Sequence, residues 1–172
     1  MNHIDHTFAV CAYKDSPYLE ECIRSLKRQS EPSEIILCTS TPSAFIEEIA
    51  KKYDLPLLRE GQSDIQEDWN FACANAKTRL VTIAHQDDVY HRDYAKAVKD
   101  CWERYPDASV FTTDCVILRN GKTEQPGLIH FVKKLLRLPL RLRPLADRTG
   151  IKRMALMFGN PIICPSCTYN LE

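Results

Sequence analysis

The 172-residue sequence predicts an α/β fold: a mostly parallel sheet flanked by helices on both faces. Three observations predict it. Short apolar runs that read as strands alternate with stretches of helical apolar spacing, the order of a parallel sheet with crossover helices. Two of those helices carry their own opening signals, Ser16-Pro17 and Thr41-Pro42. The tetrad His85-Gln86-Asp87-Asp88 stands directly behind the apolar run Leu80-Val81-Thr82-Ile83-Ala84. That is the carboxyl edge of a strand, where open α/β sheets bind ligands.

In chain order, residues 7–12 read as a buried strand. Ser16 caps a helix with Pro17 at its first position, running to about residue 29, and Leu19, Cys22, Ile23 and Leu26 keep helical spacing. Residues 34–38 form the next strand. The helix opened by Thr41-Pro42 puts Phe45, Ile46, Ile49 and Ala50 on one face. A short strand at 56–58, a helix over about 65–76 and a strand at 80–84 follow. Residues 92 to about 105 are helical, and 109–118 form a strand ending in an Asn120-Gly121 turn. The loops after Ala12, Cys38 and Ala84 then share one sheet edge. The expected organisation is a single domain over residues 1–170, with its core at about 7–118. Residues 122–170 lose the alternation and read as a substrate-facing, basic excursion. Tyr169-Asn170 runs into Leu171-Glu172 with no closing element. Leu-Glu reads as a cloning scar, so a C-terminally truncated chain is expected.

Hydrophobic residues make up 44% and charged residues 27%, which sets aside disordered and fibrous classes. Net charge is zero, so no global field draws in nucleic acid. Between residues 133 and 153, however, eight Lys and Arg face only Asp147. Cys11, Cys22, Cys38, Cys73 and Cys101, of eight cysteines, fall in predicted elements as small buried hydrophobes. With no apolar signal region at the start, this predicts a reduced, cytoplasmic protein. The uncharged run 154–171 contains Gly159, Asn160, Pro161, Pro165 and Ser166 and makes a poor membrane span.

Two carboxylates at the end of a buried strand repel each other and are costly to desolvate. A bound divalent cation compensates both, because hard cations take oxygen ligands. In a nucleotide-using enzyme that cation also holds a diphosphate. The tetrad therefore points to metal-assisted transfer of a group from a nucleotide.

The ordered series of motifs resembles the family 2 glycosyltransferases, which have the GT-A fold. The first strand ends in Ala12-Tyr13-Lys14-Asp15. The helix reads Tyr18-Leu19-Glu20-Glu21-Cys22-Ile23-Arg24-Ser25-Leu26-Lys27-Arg28-Gln29. The next strand is Glu34-Ile35-Ile36-Leu37-Cys38, followed by Trp69-Asn70-Phe71-Ala72 through Asn75-Ala76, and then by His85-Gln86-Asp87-Asp88. The likeness covers about residues 7–118, and Gly159-Asn160-Pro161 to Pro165-Ser166 is similar to an acceptor-side segment of some members.

That resemblance implies a nucleotide-diphospho-sugar transferase. Asp87 would bridge Mg2+ or Mn2+ to the diphosphate of a nucleotide-sugar donor, and Asp88 would support or share the metal. Ala12, Tyr13 and Asp15 would line the nucleotide pocket. Asp64, Trp69 and Asn70 would sit near base or ribose. The acceptor would be a glycan or a lipid-linked molecule, with inversion of configuration and one carboxylate as base. The sequence departs from the pattern in three places. The second strand ends in Cys38-Thr39-Ser40-Thr41, so a Thr39 hydroxyl or backbone groups must replace the family's base-reading Asp. His85 replaces the first Asp of the metal motif, and imidazole suits softer ions than Mg2+ or a ribose hydroxyl. The usual catalytic base lies beyond the chain end, and Asp114 precedes its position. Weak donor binding or no transfer is expected of this stretch alone.

Blander readings compete. Asp87-Asp88 also suits a solvated turn, Trp69 a core position and Asp15 a plain cap. Cys164-Pro165-Ser166-Cys167 lacks the second pair of a zinc site and the strand-to-helix position of a redox centre. The basic stretch suits either a solvated helix face or the inner surface of a membrane; Pro139 and Pro144 break it as one helix. Two rival functions are a degenerate non-catalytic module and a nucleotidyltransferase. The second conflicts with the glycine-free loop Cys11-Ala12-Tyr13-Lys14-Asp15.

Overall fold

The computed structural model describes residues 5–61, 64–119, 121–124, 127–157 and 159–172. The chain divides into two compact units. One comprises Met1–Phe111 with Cys167–Glu172, and the other Thr112–Ser166.

The first unit is built on a six-stranded sheet. Its strands are β1 (His6–Ala12), β2 (Glu34–Thr39), β3 (Leu57–Arg59), β4 (Leu80–His85), β5 (Val110–Thr112) and, last in the chain, β8 (Cys167–Asn170). Their spatial order is β3-β2-β1-β4-β8-β5. β3, β2, β1 and β4 are mutually parallel, and β8 runs antiparallel to β4. Strand side chains alternate between faces. Phe8, Val10, Ile35, Leu37, Leu80 and Ala84 pack under helices α1 (Leu19–Lys27), α2 (Ala44–Lys52) and α4 (Tyr94–Arg104). Ala9, Ile36, Cys38, Val81 and Ile83 pack under α3 (Ile65–Asn75). Burial on both faces explains why β1 and β4 read as apolar runs rather than as alternating ones. Order reverses at β1: β2 lies on one side and β4 on the other. The carboxyl ends of β1 and β4 therefore frame the topological switch point.

Helix starts differ from the sequence reading by two or three residues. Ser16 forms a turn, accepting Tyr18 N at 3.3 Å, and α1 begins at Leu19. Ser43, not Thr41, caps α2 by accepting Ile46 N at 3.2 Å. Asp64 caps α3 in a full capping box with Glu67. Cys101, expected to be buried, is exposed on α4.

Two larger differences concern the second half of the chain. The expected strand 109–118 stops at Thr112. Thr113 N instead donates to Ser166 O at 3.3 Å, and residues 113–117 are irregular. β6 (Leu118–Arg119) then pairs with β7 (Lys122–Thr123) as a two-stranded ribbon; Gly121 has φ 71°, and Asn120 lies outside the described residues. The C-terminal segment, read as lacking a closing element, is β8. Thr168 sits at the centre of a buried polar seam. Thr82 Oγ1 lies 2.8 Å from His6 Nε2 and 2.6 Å from Thr168 Oγ1, and Tyr94 OH lies 3.0 Å from Thr168 Oγ1. Each buried polar atom is thereby satisfied, and β1, β4, β8 and α4 are tied together.

The second unit holds that ribbon, α5 (Leu128–Arg137), a 3-10 turn at Leu138–Arg141, α6 (Arg143–Ala146), α7 (Thr149–Met157) and a 3-10 turn at Cys164–Ser166. α5 gives way to the tighter turn at Pro139, whose ring cannot continue an α-helix. Arg137 is buried. Its Nη1 donates to Thr113 O at 3.1 Å and its Nη2 to Asp114, whose other oxygen accepts from Arg141 at 3.2 Å. Asp114 is thus committed to two cations. Among the described residues no helix is long and apolar enough to cross a membrane.

Candidate donor and metal site

A cleft of about 380 Å³ opens at the carboxyl edge of the parallel strands. Cys11, Ala12 and Tyr13 enter it from the end of β1, Cys38 and Thr39 from β2, and His85, Gln86 and Asp87 from β4. α3 contributes Asp64, Asp68 and Trp69. A larger hollow of about 560 Å³, between Leu26, Pro32, Leu55 and Asn75, lies at the opposite edge. Among the described residues, the group of possible metal ligands stands at the smaller cleft.

Short polar contacts fix the cleft's rim. Gln86 grips the Tyr13 backbone twice, donating from Nε2 to Tyr13 O at 2.9 Å and accepting Tyr13 N at 3.1 Å. Lys14 adopts φ 55°, which is unfavourable for a side-chain-bearing residue, and its N donates to Thr41 Oγ1 at 2.6 Å. A hydroxyl from the next loop thus holds the strained turn.

At the end of β4, His85, Asp87 and Asp88 each offer a ligand atom, and these atoms lie within 4.8 Å of one another. Among the described residues they are the one such group. Burial first, then the Asp87 charge, push the Asp88 carboxyl above the ordinary range, with His85 opposing. His85 packs against the Trp69 ring at 5.4 Å, and its Nε2 is buried without a hydrogen-bond partner.

The match to the family model described as glycosyl transferase family 2 runs over residues 7–167. The chain belongs to that family. Solved structures agree on the GT-A fold. A fragment of TarS from S. aureus, residues 1–349 in complex with UDP-GlcNAc, superimposes with TM-score 0.60 at 17% identity, over 72% of this chain and 38% of that one. The mannosyltransferase PcManGT from Pyrobaculum calidifontis, with GDP-Man and Mn2+, gives 0.56 at 21% identity, over 69% and 37%. Glucosyl-3-phosphoglycerate synthase from Mycobacterium tuberculosis, with phosphoglyceric acid, gives 0.61 at 13% identity, over 96% and 56%. This glycosyltransferase chain therefore spans less than two thirds of each. A comparison with curated proteins found no match.

In this family 2 chain, Ala12, Tyr13, Thr39, Asp64, Trp69, His85 and Asp87 line the one cleft. Asp15 and Asn70 do not; the Asp15 carboxylate accepts the Ser43 hydroxyl at 2.6 Å, and Asn70 is exposed. Thr39 is buried, and its Oγ1 already accepts Thr41 N at 3.1 Å. Two cleft carboxylates were not anticipated. Glu60 follows β3, its N donating to Thr39 O at 3.0 Å, and one of its side-chain oxygens is buried without a partner. Asp68, on α3, accepts the Ser40 hydroxyl at 3.2 Å. Burial, then Asp68 and Glu67, raise the Glu60 carboxyl. The available signal was position: Glu60 stands one residue past a parallel strand, on the ligand edge.

The residues present fit a divalent cation. Two mutually repelling carboxylates and an orphaned imidazole nitrogen converge at a strand end. The carboxylate oxygens suit Mg2+ or Mn2+, and the imidazole beside them favours the softer of the two.

Proposed function

We propose that this chain is the donor-binding part of an inverting glycosyltransferase that moves a sugar from a nucleotide-sugar to a glycan or lipid-linked acceptor. The grouping of His85, Asp87 and Asp88 at the switch point, with His85 and Asp87 lining the cleft, supports the reading. Asp87, exposed at the cleft, and the half-buried Asp88 hold Mg2+ or Mn2+ with His85 beside them. A cation bound there supplies charge neutralisation on the leaving diphosphate. Ala12 and Tyr13 line the nucleotide, Trp69 gives an aromatic wall, and Asp64 stands at the mouth. Asp15 acts on the loop conformation, and Asn70 contributes from outside the cleft wall.

Glu60 and Asp68 replace the base-reading carboxylate missing after β2. Carboxylates accept hydrogen bonds, and uracil, thymine and guanine carry a ring N–H that cytosine and adenine lack on that edge. The uracil and guanine donors bound by TarS and PcManGT support this choice. The protein works in the cytoplasm, with residues 133–153 at the inner face of a membrane.

Calorimetric titration of UDP, GDP and dTDP, with and without Mn2+, tests the reading on wild type and Asp87→Ala. Metal-dependent binding of one nucleotide, weakened at least tenfold in Asp87→Ala, is the expected result. Absence of binding by all three would favour a degenerate module, the reading that Thr39 in place of a carboxylate suggests.

A further inference from the structure

α5 is amphipathic, but it is mounted the opposite way from an ordinary surface helix. Leu128, Phe131, Val132 and Leu135 recur at i, i+3, i+4 and i+7, and all four face solvent. Leu128 is 79% exposed, Phe131 63% and Leu135 57%. Leu138 and Leu142, in and after the following 3-10 turn, extend the exposed apolar row. Three polar positions, His130, Lys133 and Arg137, point inward instead. Arg137 is 8% exposed and clamped on Asp114 and Thr113, while His130 and Lys133 are half-buried. A surface helix normally turns its apolar stripe to the core. The reversal holds this stripe in water, where large contiguous apolar patches mark binding surfaces.

Charge decides what covers it. Between residues 128 and 146 there is no acidic residue, and Lys134 and Arg141 are exposed beside the stripe. Asp114, the acid that touches this region, is consumed by Arg137 and Arg141. A second copy of the chain would bring like charges together, which is unfavourable. An anionic lipid surface satisfies both features. Apolar side chains enter the acyl boundary, and cations stay among the headgroups.

We propose that the outward apolar face of α5, from Leu128 to Leu142, docks on an anionic bilayer surface. The inference deepens the reading of a membrane-proximal acceptor and rests on it for the acceptor's location. It assigns the contact to apolar side chains, with the basic residues as flanks rather than as the binding face.

The test is co-sedimentation of the 172-residue chain with phosphatidylcholine vesicles, with and without phosphatidylserine. Wild type, Phe131→Ser/Leu135→Ser and Lys134→Glu/Arg141→Glu are compared, with sedimentation velocity alongside. We expect binding to the anionic vesicles, at least tenfold weaker in the first variant and about fivefold weaker per lost cation in the second. Phe131→Trp, which keeps the aromatic bulk, supplies an independent readout. Its added fluorescence is expected to shift blue and to be quenched by brominated acyl chains. No preference for anionic vesicles, unaltered binding by Phe131→Ser/Leu135→Ser, or a concentration-dependent dimer abolished by that variant would each overturn the proposal. Nucleotide titration of the same variants is independent of vesicle binding, so loss of donor binding and loss of docking are read separately.

Discussion

Asp88 and Glu60 show how a site residue differs from its sequence neighbours. Both carboxyls are raised chiefly by desolvation and secondly by an adjacent acid. On the proposed reading, a cation would relieve that cost at Asp88 and a base N–H would relieve it at Glu60. Asp88→Asn is therefore expected to weaken metal affinity about 10–100-fold, the range for groups supporting a ligand. Mn2+ titration checks it. Glu60→Ala is expected to weaken nucleotide binding without altering the Mn2+ affinity measured alone. Equal weakening of both would place Glu60 in the metal's surroundings instead.

Among elements, β8 was invisible beforehand. Its sequence, Cys-Thr-Tyr-Asn, is short and follows a Pro-containing turn, so no periodicity announces a strand. It becomes one because β4 offers a free edge and Thr82 offers a buried hydroxyl partner. Thr168→Val would take one hydrogen-bond partner each from Thr82 and Tyr94. The expected loss is about 1–3 kcal/mol in urea unfolding. Deleting residues 167–172 would uncover the β4 edge, and aggregation detected by light scattering is expected. A deletion variant as stable and monomeric as wild type would show that β8 is dispensable. The parallel strands were legible because burial on both faces writes itself as apolar runs. Strand 109–118 was not, because Thr113 and Asp114 are diverted by Ser166 and Arg137, partners more than twenty residues away.

For the molecule as a whole, His6 sets a pH limit on stability. Burial depresses its pKa from 6.5 to about 3. Between those values the unfolded chain binds a proton that the folded chain refuses. Stability therefore falls as pH drops below about 6.5, by about 1.4 kcal/mol per pH unit for this one group. His6→Gln, measured by urea unfolding at pH 7 and pH 5, is expected to flatten that slope; an unchanged slope would assign it to other groups.

The sequence by itself determined the strand-helix alternation, the carboxyl edge as the ligand side and the Asp87-Asp88 pair, because apolar period and strand-end position are local properties. Only the tertiary structure decided which distant groups share the cleft. Glu60 and His85 meet there because parallel strands bring their carboxyl ends to one edge, and α3 lays Asp68 beside them. Asp15 is drawn off by Ser43. The outward turn of α5 was likewise decided by packing, since a helix's apolar period gives a stripe but not its direction. Arg137 sets that direction by burying its guanidinium against Asp114.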